Sequence, residues 1–266
     1  MKKKKFFNSQ RTRQMFALPF VVFLLMMVVF PLILLFVYAF FKDGKFNGTE
    51  FVTFWTDGFT LPVLGTSLWI AFVAAIICIL IGYPIAYILA LTKFKRSYII
   101  LMLFIMPMWI NLLLRTYALK ELSELFSTNL GYGTLIFWIV MDYLPFMILP
   151  IYTVLSNIDK KYMEASSDLG APPLKVFLKT VLPLSVPGII SGFLIVFTPA
   201  VSTFFLSEYM GNPDIIMLGQ LLNDVWTQGN ISLASVIAIV LLVIIAISVL
   251  VTNWLSKMGN RRGGLW

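Results

Sequence analysis

Six long apolar runs, separated by shorter polar stretches, dominate the chain. They cover Phe16–Phe41, Pro62–Leu91, Tyr98–Leu119, Thr134–Leu155, Leu184–Leu206 and Ile231–Leu255. A bilayer core about 30 Å thick needs about 20 mostly apolar residues in a helix. Each run meets that length, and the second is long enough to tilt or to extend past the membrane. A barrel strand would alternate over about ten residues, so continuous runs of this kind predict helices. The expected fold is an all-α integral membrane protein of six transmembrane helices. Prolines recur within or at the ends of these runs, at Pro19, Pro31, Pro84, Pro107, Pro145, Pro150, Pro187 and Pro199. Each interior proline frees a carbonyl and bends its helix, as is common in bundles that enclose a cavity.

Composition agrees with the pattern. Hydrophobic residues make up 60% of the 266 and charged residues 12%, with a mean hydropathy of +0.93. A soluble domain carries about a quarter charged residues, so a water-soluble enzyme and a disordered chain are both excluded. Histidine is absent and Cys78 is the sole cysteine. Histidine-based triads, metal ligands and pH switches are therefore ruled out, as are a disulfide framework and a cysteine zinc site. No metal site is expected. The first run exceeds the 7–15 apolar residues of a signal peptide and is followed by Lys42 and Asp43, so it is expected to be retained as a span.

The net charge of +8 changes meaning once the charges are placed. Sixteen of the 20 basic residues fall in the N-terminal arm, the loops after the second and fourth runs, and the C-terminal tail. The alternate loops hold only Lys42, Lys45, Lys120 and the nearby Arg115. By the positive-inside rule both termini are cytoplasmic, which six spans make self-consistent. The basic excess is thus a topology signal, and the expected partner is the lipid bilayer rather than nucleic acid. Eight of the acidic residues lie in or beside the outer loops, while Asp142 lies within a span. The organisation expected is a basic arm (1–15), a first helix and outer loop (16–61), a transmembrane domain (62–255) containing a cytoplasmic loop (156–183), and a tail (256–266).

That loop is too long for a simple helix–helix connection, usually 2–8 residues. Asp159 is placed to cap a helix beginning at Lys160, with Ile158, Tyr162, Ala165 and Leu169 near one face. Gly170 supplies the stop and Pro172–Pro173 cannot continue that helix. Pro173 then opens a second short helix, in which Leu174, Phe177, Leu178 and Val181 share a stripe. A helix–glycine–helix elbow with an apolar stripe and basic flanks has the character of a docking element.

The run Glu164-Ala165-Ser166-Ser167-Asp168-Leu169-Gly170, followed nine residues later by Thr180-Val181-Leu182-Pro183, resembles the EAA loop of ABC importer permeases. Glu164, Ala165, Gly170, Leu182 and Pro183 match the family pattern, while Ser166 and Thr180 depart from it. Further runs resemble the permease subunits of spermidine/putrescine importers: Pro107–Asn111, Arg115–Ala118, Tyr143–Tyr152 and Leu182–Ile189. The resemblance implies a type I importer permease bundle in the plasma membrane of a prokaryote, forming half of a polyamine pathway. In it Glu164, Ala165, Ser166, Asp168, Gly170, Leu182 and Pro183 belong to the loop whose coupling helix fits a cleft in an ATPase. The partners implied are a second homologous permease, two ABC ATPase subunits and an extracytoplasmic polyamine-binding protein. No G-x-x-x-x-G-K-[ST] sequence is present, so this chain is expected to hold no cofactor, with ATP and Mg on the partner ATPase.

The candidate pathway residues are Asp142, Trp109, Tyr117, Tyr143 and Glu208. A charge within a span must face a cavity or a partner, so Asp142 either meets a cationic substrate or forms a structural pair, with Arg115 as one candidate. Arg115 itself either snorkels to the outer interface or joins a gate. Glu208, with Asp214 and Asp224, either attracts cations at the outer mouth or is solvated loop charge. The aromatic residues, Trp138 and Tyr152 included, either contact an alkyl-ammonium chain through cation–π interactions or pack and anchor. Another small solute as substrate is the alternative, and a secondary transporter or channel is a more distant one. A membrane enzyme has little from which to build an active site.

Overall fold

The computed structural model describes residues 19–42, 45–91, 97–125, 131–210 and 214–263. The basic arm with Lys2–Lys5, Arg11 and Arg13, the basic residues Lys93, Lys95 and Arg96, and the start of the first run at Phe16 lie outside the described residues. Among the described residues, five helices are long and apolar enough to cross a membrane, and a bent helix pair makes a sixth crossing if counted as one.

The crossings are α1 (Pro19–Phe40), α3 (Thr60–Leu91), the pair α4 (Ser97–Ile105) and α5 (Leu112–Leu125), α6 (Tyr132–Ser156), α8 (Pro173–Val201) and α11 (Ile231–Gly263). A two-residue hairpin pair, β1 (Phe41–Lys42) and β2 (Lys45–Phe46), and α2 (Thr49–Thr56) join α1 to α3. The exposed helix α7 (Lys160–Asp168) precedes α8, and α9 (Phe205–Met210) and α10 (Leu218–Thr227) lie between α8 and α11. The ends of the crossings near α7 are called the basic end, and those near α2, α9 and α10 the acidic end.

The centre is a trio of packed helices, α3, α6 and α8, with α11 against α8 and α1 outermost against α11. Lipid is as apolar as leucine, so close packing rather than a hydrophobic drive brings such helices together, and small residues permit it. On α3 a stripe of Ala71, Ala74, Ala75, Cys78, Gly82 and Ala86 is buried at spacings of three and four. On α8 a Cβ built at Gly188 would come within 3.0 Å of the Pro150 carbonyl oxygen, and one at Gly192 within 2.6 Å of Met147 Sδ. Two polar links fasten the trio and its acidic cover. The Tyr83 and Ser185 hydroxyls share a hydrogen bond of 2.9 Å between α3 and α8, and Ser67 Oγ accepts from the Leu218 amide at 2.7 Å.

Three expected features need correction. The run Tyr98–Leu119 is not one helix: α4 gives way to a 3₁₀ turn at Met106–Trp109, and α5 leaves at 95°. Pro107 has no amide proton for the ladder, and Asn111 starts a new helix by accepting the Leu113 amide on its Oδ1 at 2.9 Å. The expected fifth span, Leu184–Leu206, begins earlier and ends earlier. It runs unbroken from Pro173 to Val201, so the expected second loop helix is its first turns, and Leu206 belongs to α9. The expected stripe Leu174–Phe177–Leu178–Val181 is also split. A π stretch at Phe177–Val181 adds a residue to the turn, so Val181 is buried and Phe177 packs on Tyr83 and Tyr87, while Leu174 and Leu178 stay exposed.

The tightest approach is at Gly219, at the start of α10. A Cβ there would clash with the Ser202 carbonyl oxygen and lie 2.8 Å from that of Thr203. Both are backbone atoms and cannot swing away. We expect Gly219→Ala to lower thermal stability in detergent by about 1–3 kcal/mol, the usual cost of overpacking. Gly65→Ala, where a Cβ meets nothing within 4 Å, is the control that should leave the melting temperature unchanged or raise it.

Candidate functional site: a surface elbow and a paired charge

The elbow at the basic end is built by local chemistry. Asn157 closes α6 by donating from Nδ2 to the Thr153 carbonyl at 2.8 Å. Asp159 then caps α7, its Oδ1 accepting the Lys161 amide at 3.0 Å. At the other end, the Ala171 amide donates to the Ser166 carbonyl at 3.3 Å and the Gly170 amide to that of Ser167 at 2.8 Å. These two bonds form a Schellman termination, which needs a left-handed residue between them. Gly170 supplies it with φ of +79°. A Cβ there would meet nothing within 4 Å, so conformation rather than space favours glycine. Pro173 starts α8 with its fixed φ, and the chain continues into the membrane without interruption.

No residue of α7 is buried. Glu164, Ala165 and Asp168 are exposed and Ser166 is half-buried. Leu169 is 89% and Leu174 69% exposed, flanking Gly170 on the two sides of the turn. Leu182 and Pro183 lie on α8 just beyond the π stretch, half-buried and exposed respectively.

The second group lies toward the acidic end. Asp142 of α6 is buried, and Arg115 of α5 turns inward to place its Nε 2.5 Å from Asp142 Oδ1. Beyond that contact neither carboxylate oxygen has a hydrogen-bond partner among the described residues. Arg115 Nη1 also donates to the Pro107 carbonyl at 3.2 Å. The structural pair weighed for Asp142 is thus present, and Arg115 does not snorkel outward. Tyr143 is buried beside Asp142, facing Thr203. Tyr117 is half-exposed and donates to the Tyr209 hydroxyl at 3.0 Å, with Lys120 Nζ 5.7 Å from the Tyr209 ring. Glu208 precedes Tyr209 on α9 and is exposed. Trp109 stands on the outside of the break, 89% exposed. The candidate pathway residues are thus the buried Asp142 and Tyr143 on α6, the exposed Tyr117 and Glu208 on α5 and α9, which pack together, and the exposed Trp109 at the break. Tyr209 and Thr203 escaped sequence reasoning because nothing local marks them.

Residues 79–262 match the family described as "Binding-protein-dependent transport system inner membrane component". The chain belongs to this family. The region matched takes in α7, Gly170 and the whole of α8. Among curated relatives, this permease is 32% identical over 218 residues to the spermidine/putrescine transport system permease protein PotB of Haemophilus influenzae, covering 75% of this chain and 76% of that one. To the protein of the same name from Escherichia coli K12 it is 34% identical over 187 residues, covering 62% of this chain and 66% of that one, just under two thirds. Among solved structures, a bacterial ABC transporter involved in the import of the acidic polysaccharide alginate superimposes with a TM-score of 0.74 at 15% identity. That match covers 94% of this chain and 96% of the other, and it is a likeness of fold. The permease is thus a membrane-embedded transport subunit with the type I importer permease fold.

The ion pair makes a sharp expectation. Removing one partner of a buried pair leaves an uncompensated charge and costs about 3–5 kcal/mol. Asp142→Asn should lower the melting temperature of the purified permease, and Arg115→Gln should do so too. The double substitution should recover part of the loss in a double-mutant cycle, since it leaves no orphan charge. Strictly additive losses would mean that the two residues act independently.

Proposed function

We propose that this permease is one half of the membrane pathway of an ATP-driven polyamine importer, and that α7 is the coupling helix received by an ATPase subunit. One observation carries the coupling role: a helix with no buried residue ends at a left-handed glycine and feeds directly into a membrane crossing. At about 1.5 Å per residue, the 29 residues of α8 reach about 43 Å, enough to pass a push at the elbow across the bilayer. Gly170 and the two prolines fix the angle between pusher and lever. Leu169 and Leu174 supply apolar contact, and Glu164 is free to meet a basic partner. The elbow and both termini are then cytoplasmic, as the distribution of Lys and Arg supports.

In this scheme a second homologous permease completes the pathway, and two ABC ATPases hold ATP and Mg. An extracytoplasmic polyamine-binding protein delivers substrate to the acidic end. Nucleotide-driven closure of the ATPases biases two arrangements of the permease halves, inward-open and outward-open. The polyamine assignment rests on the identity to the two PotB proteins. The excess of acidic over basic side chains at the acidic end suits a cationic cargo but also follows from the topology.

Uptake of labelled spermidine, putrescine and an unrelated solute into vesicles carrying the full complex tests both parts. ATP-dependent uptake confined to the polyamines is expected. ATP-dependent uptake of the other solute alone would remove the polyamine assignment and keep the importer. Gly170→Ala forces a side chain into left-handed backbone at about 1–2 kcal/mol and should reduce both ATPase co-purification and uptake. Gly170→Pro should abolish both, and intact coupling in that variant would end the coupling role for α7.

A further inference from the structure

Helix α2 lies outside the crossings and presents three distinct faces. At 100° per residue its positions sort cleanly around the axis. Glu50, Phe51 and Phe54 share one side, packed toward the protein, with Phe54 fully buried. Trp55 and Val52 occupy the next sector and are 54% and 59% exposed. Thr49, Thr53 and Thr56 fill the remaining sector and are exposed. A solvated surface helix has two faces, one against the protein and one polar. A third face that is apolar and bare calls for a third environment.

The position of α2 along the membrane normal is fixed by its neighbours. Phe51 stacks on Phe40, the last residue of α1, with ring centroids 4.7 Å apart. The Phe54 carbonyl accepts the hydroxyl of Thr60, the first residue of α3. The helix is therefore pinned between the ends of two crossings, at the level where hydrocarbon meets water. Phe59, the next exposed aromatic, leads directly into Leu61 and the bare apolar surface of α3. Along the chain the bare face of α2 thus leads into the bare apolar surface of a crossing. Tryptophan is enriched at this depth because its indole is amphipathic, and interfacial helices bury their apolar face about 5–10 Å into the headgroup boundary.

We infer that α2 is an interfacial anchor at the acidic end, with Val52 and Trp55 seated in the glycerol and upper acyl region of the bilayer and the three threonines in water. Its partner is lipid rather than a docking protein. The Phe54 ring meets the Trp55 indole edge-on at 5.2 Å and holds it on the lipid side. The anchor fixes the height of the joint between α1 and α3, so both crossings share one reference plane.

Site-directed spin labelling tests this with the full complex in nanodiscs of phosphatidylethanolamine and phosphatidylglycerol. Nitroxides are placed one at a time by Val52→Cys, Trp55→Cys, Thr53→Cys and Thr56→Cys in a Cys78→Ala background. Labels at 52 and 55 should collide with oxygen more than with a water-soluble nickel chelate, and labels at 53 and 56 should show the reverse. Equal nickel access at all four positions would mean a solvated helix and overturn the anchor. Shielding of 52 and 55 from both reagents would mean a protein covers the face, and would overturn it equally. The label at 52 decides the matter alone if Trp55→Cys does not assemble.

Discussion

Inside hydrocarbon no water is available to a peptide group, so each N–H and C=O must find a partner within the protein. Among the described residues, five crossings of this permease approach that demand by running as continuous helix, and the sixth breaks between Met106 and Asn111. The 3₁₀ turn closes on the Pro107 carbonyl, which accepts the Ile110 amide at 3.3 Å, and Arg115 adds a second donor. Its Nη1 covers the carbonyl of Pro107, while its Nε neutralises Asp142 on the neighbouring helix. One guanidinium thus serves both an exposed carbonyl and a buried carboxylate, which its fork of donors allows and a lysine ammonium would not do as well. The tolerance of a carboxylate in α6 depends on that guanidinium, and the bend of α5 away from α4 sets where it stands.

The other helices are held by shape. Small residues on α3 and α8 let α6 approach both, and the tyrosine–serine bond between α3 and α8 lies near the basic end, close to where Phe177 enters between Tyr83 and Tyr87. The π stretch turns Phe177 and Val181 inward at this level. The base of α8 is therefore gripped by α3 just above the elbow. In the proposed transport cycle, a displacement of α7 reaches the bundle through this grip and moves α3 with α8, rather than bending α8 alone.

Where the decisive chemistry is local, the chain announces it. The apolar runs of α1, α3, α6 and α11, the Asp159 cap and the Gly170 stop each follow from a few adjacent residues and appear close to where expected. What depended on distant partners was not legible. Pro84, Pro145, Pro150 and Pro187 all sit in helices that continue through them, whereas Pro107 ends one. The difference is not in the proline. Asn111 follows four residues later with a side chain able to start a new helix, and Arg115 follows eight residues later to add a donor to the Pro107 carbonyl. The π stretch is hidden for a similar reason: the periodic stripe was real in sequence, and packing against two tyrosines rotated half of it inward. In the candidate pathway, Asp142 was conspicuous as a span acid, but its partner could only be one suggestion among several until the fold brought α5 across α6.

Exposed apolar side chains mean different things at different heights in such a molecule. Along the crossings they face lipid or, in the proposed assembly, the second permease. Beyond the crossings the distinction turns on what else holds the helix. Helix α2 has its own core contact in Phe54 and Phe51, so its place is set before anything meets Trp55, and lipid at that level suffices for the bare face. Helix α7 has no buried residue and packs chiefly on the first turns of α8. A capped, glycine-terminated helix with no core of its own is well formed and held by the turn into α8. Leu169 and Leu174 stand bare on either side of that turn, open to a partner, which is the property a coupling element needs.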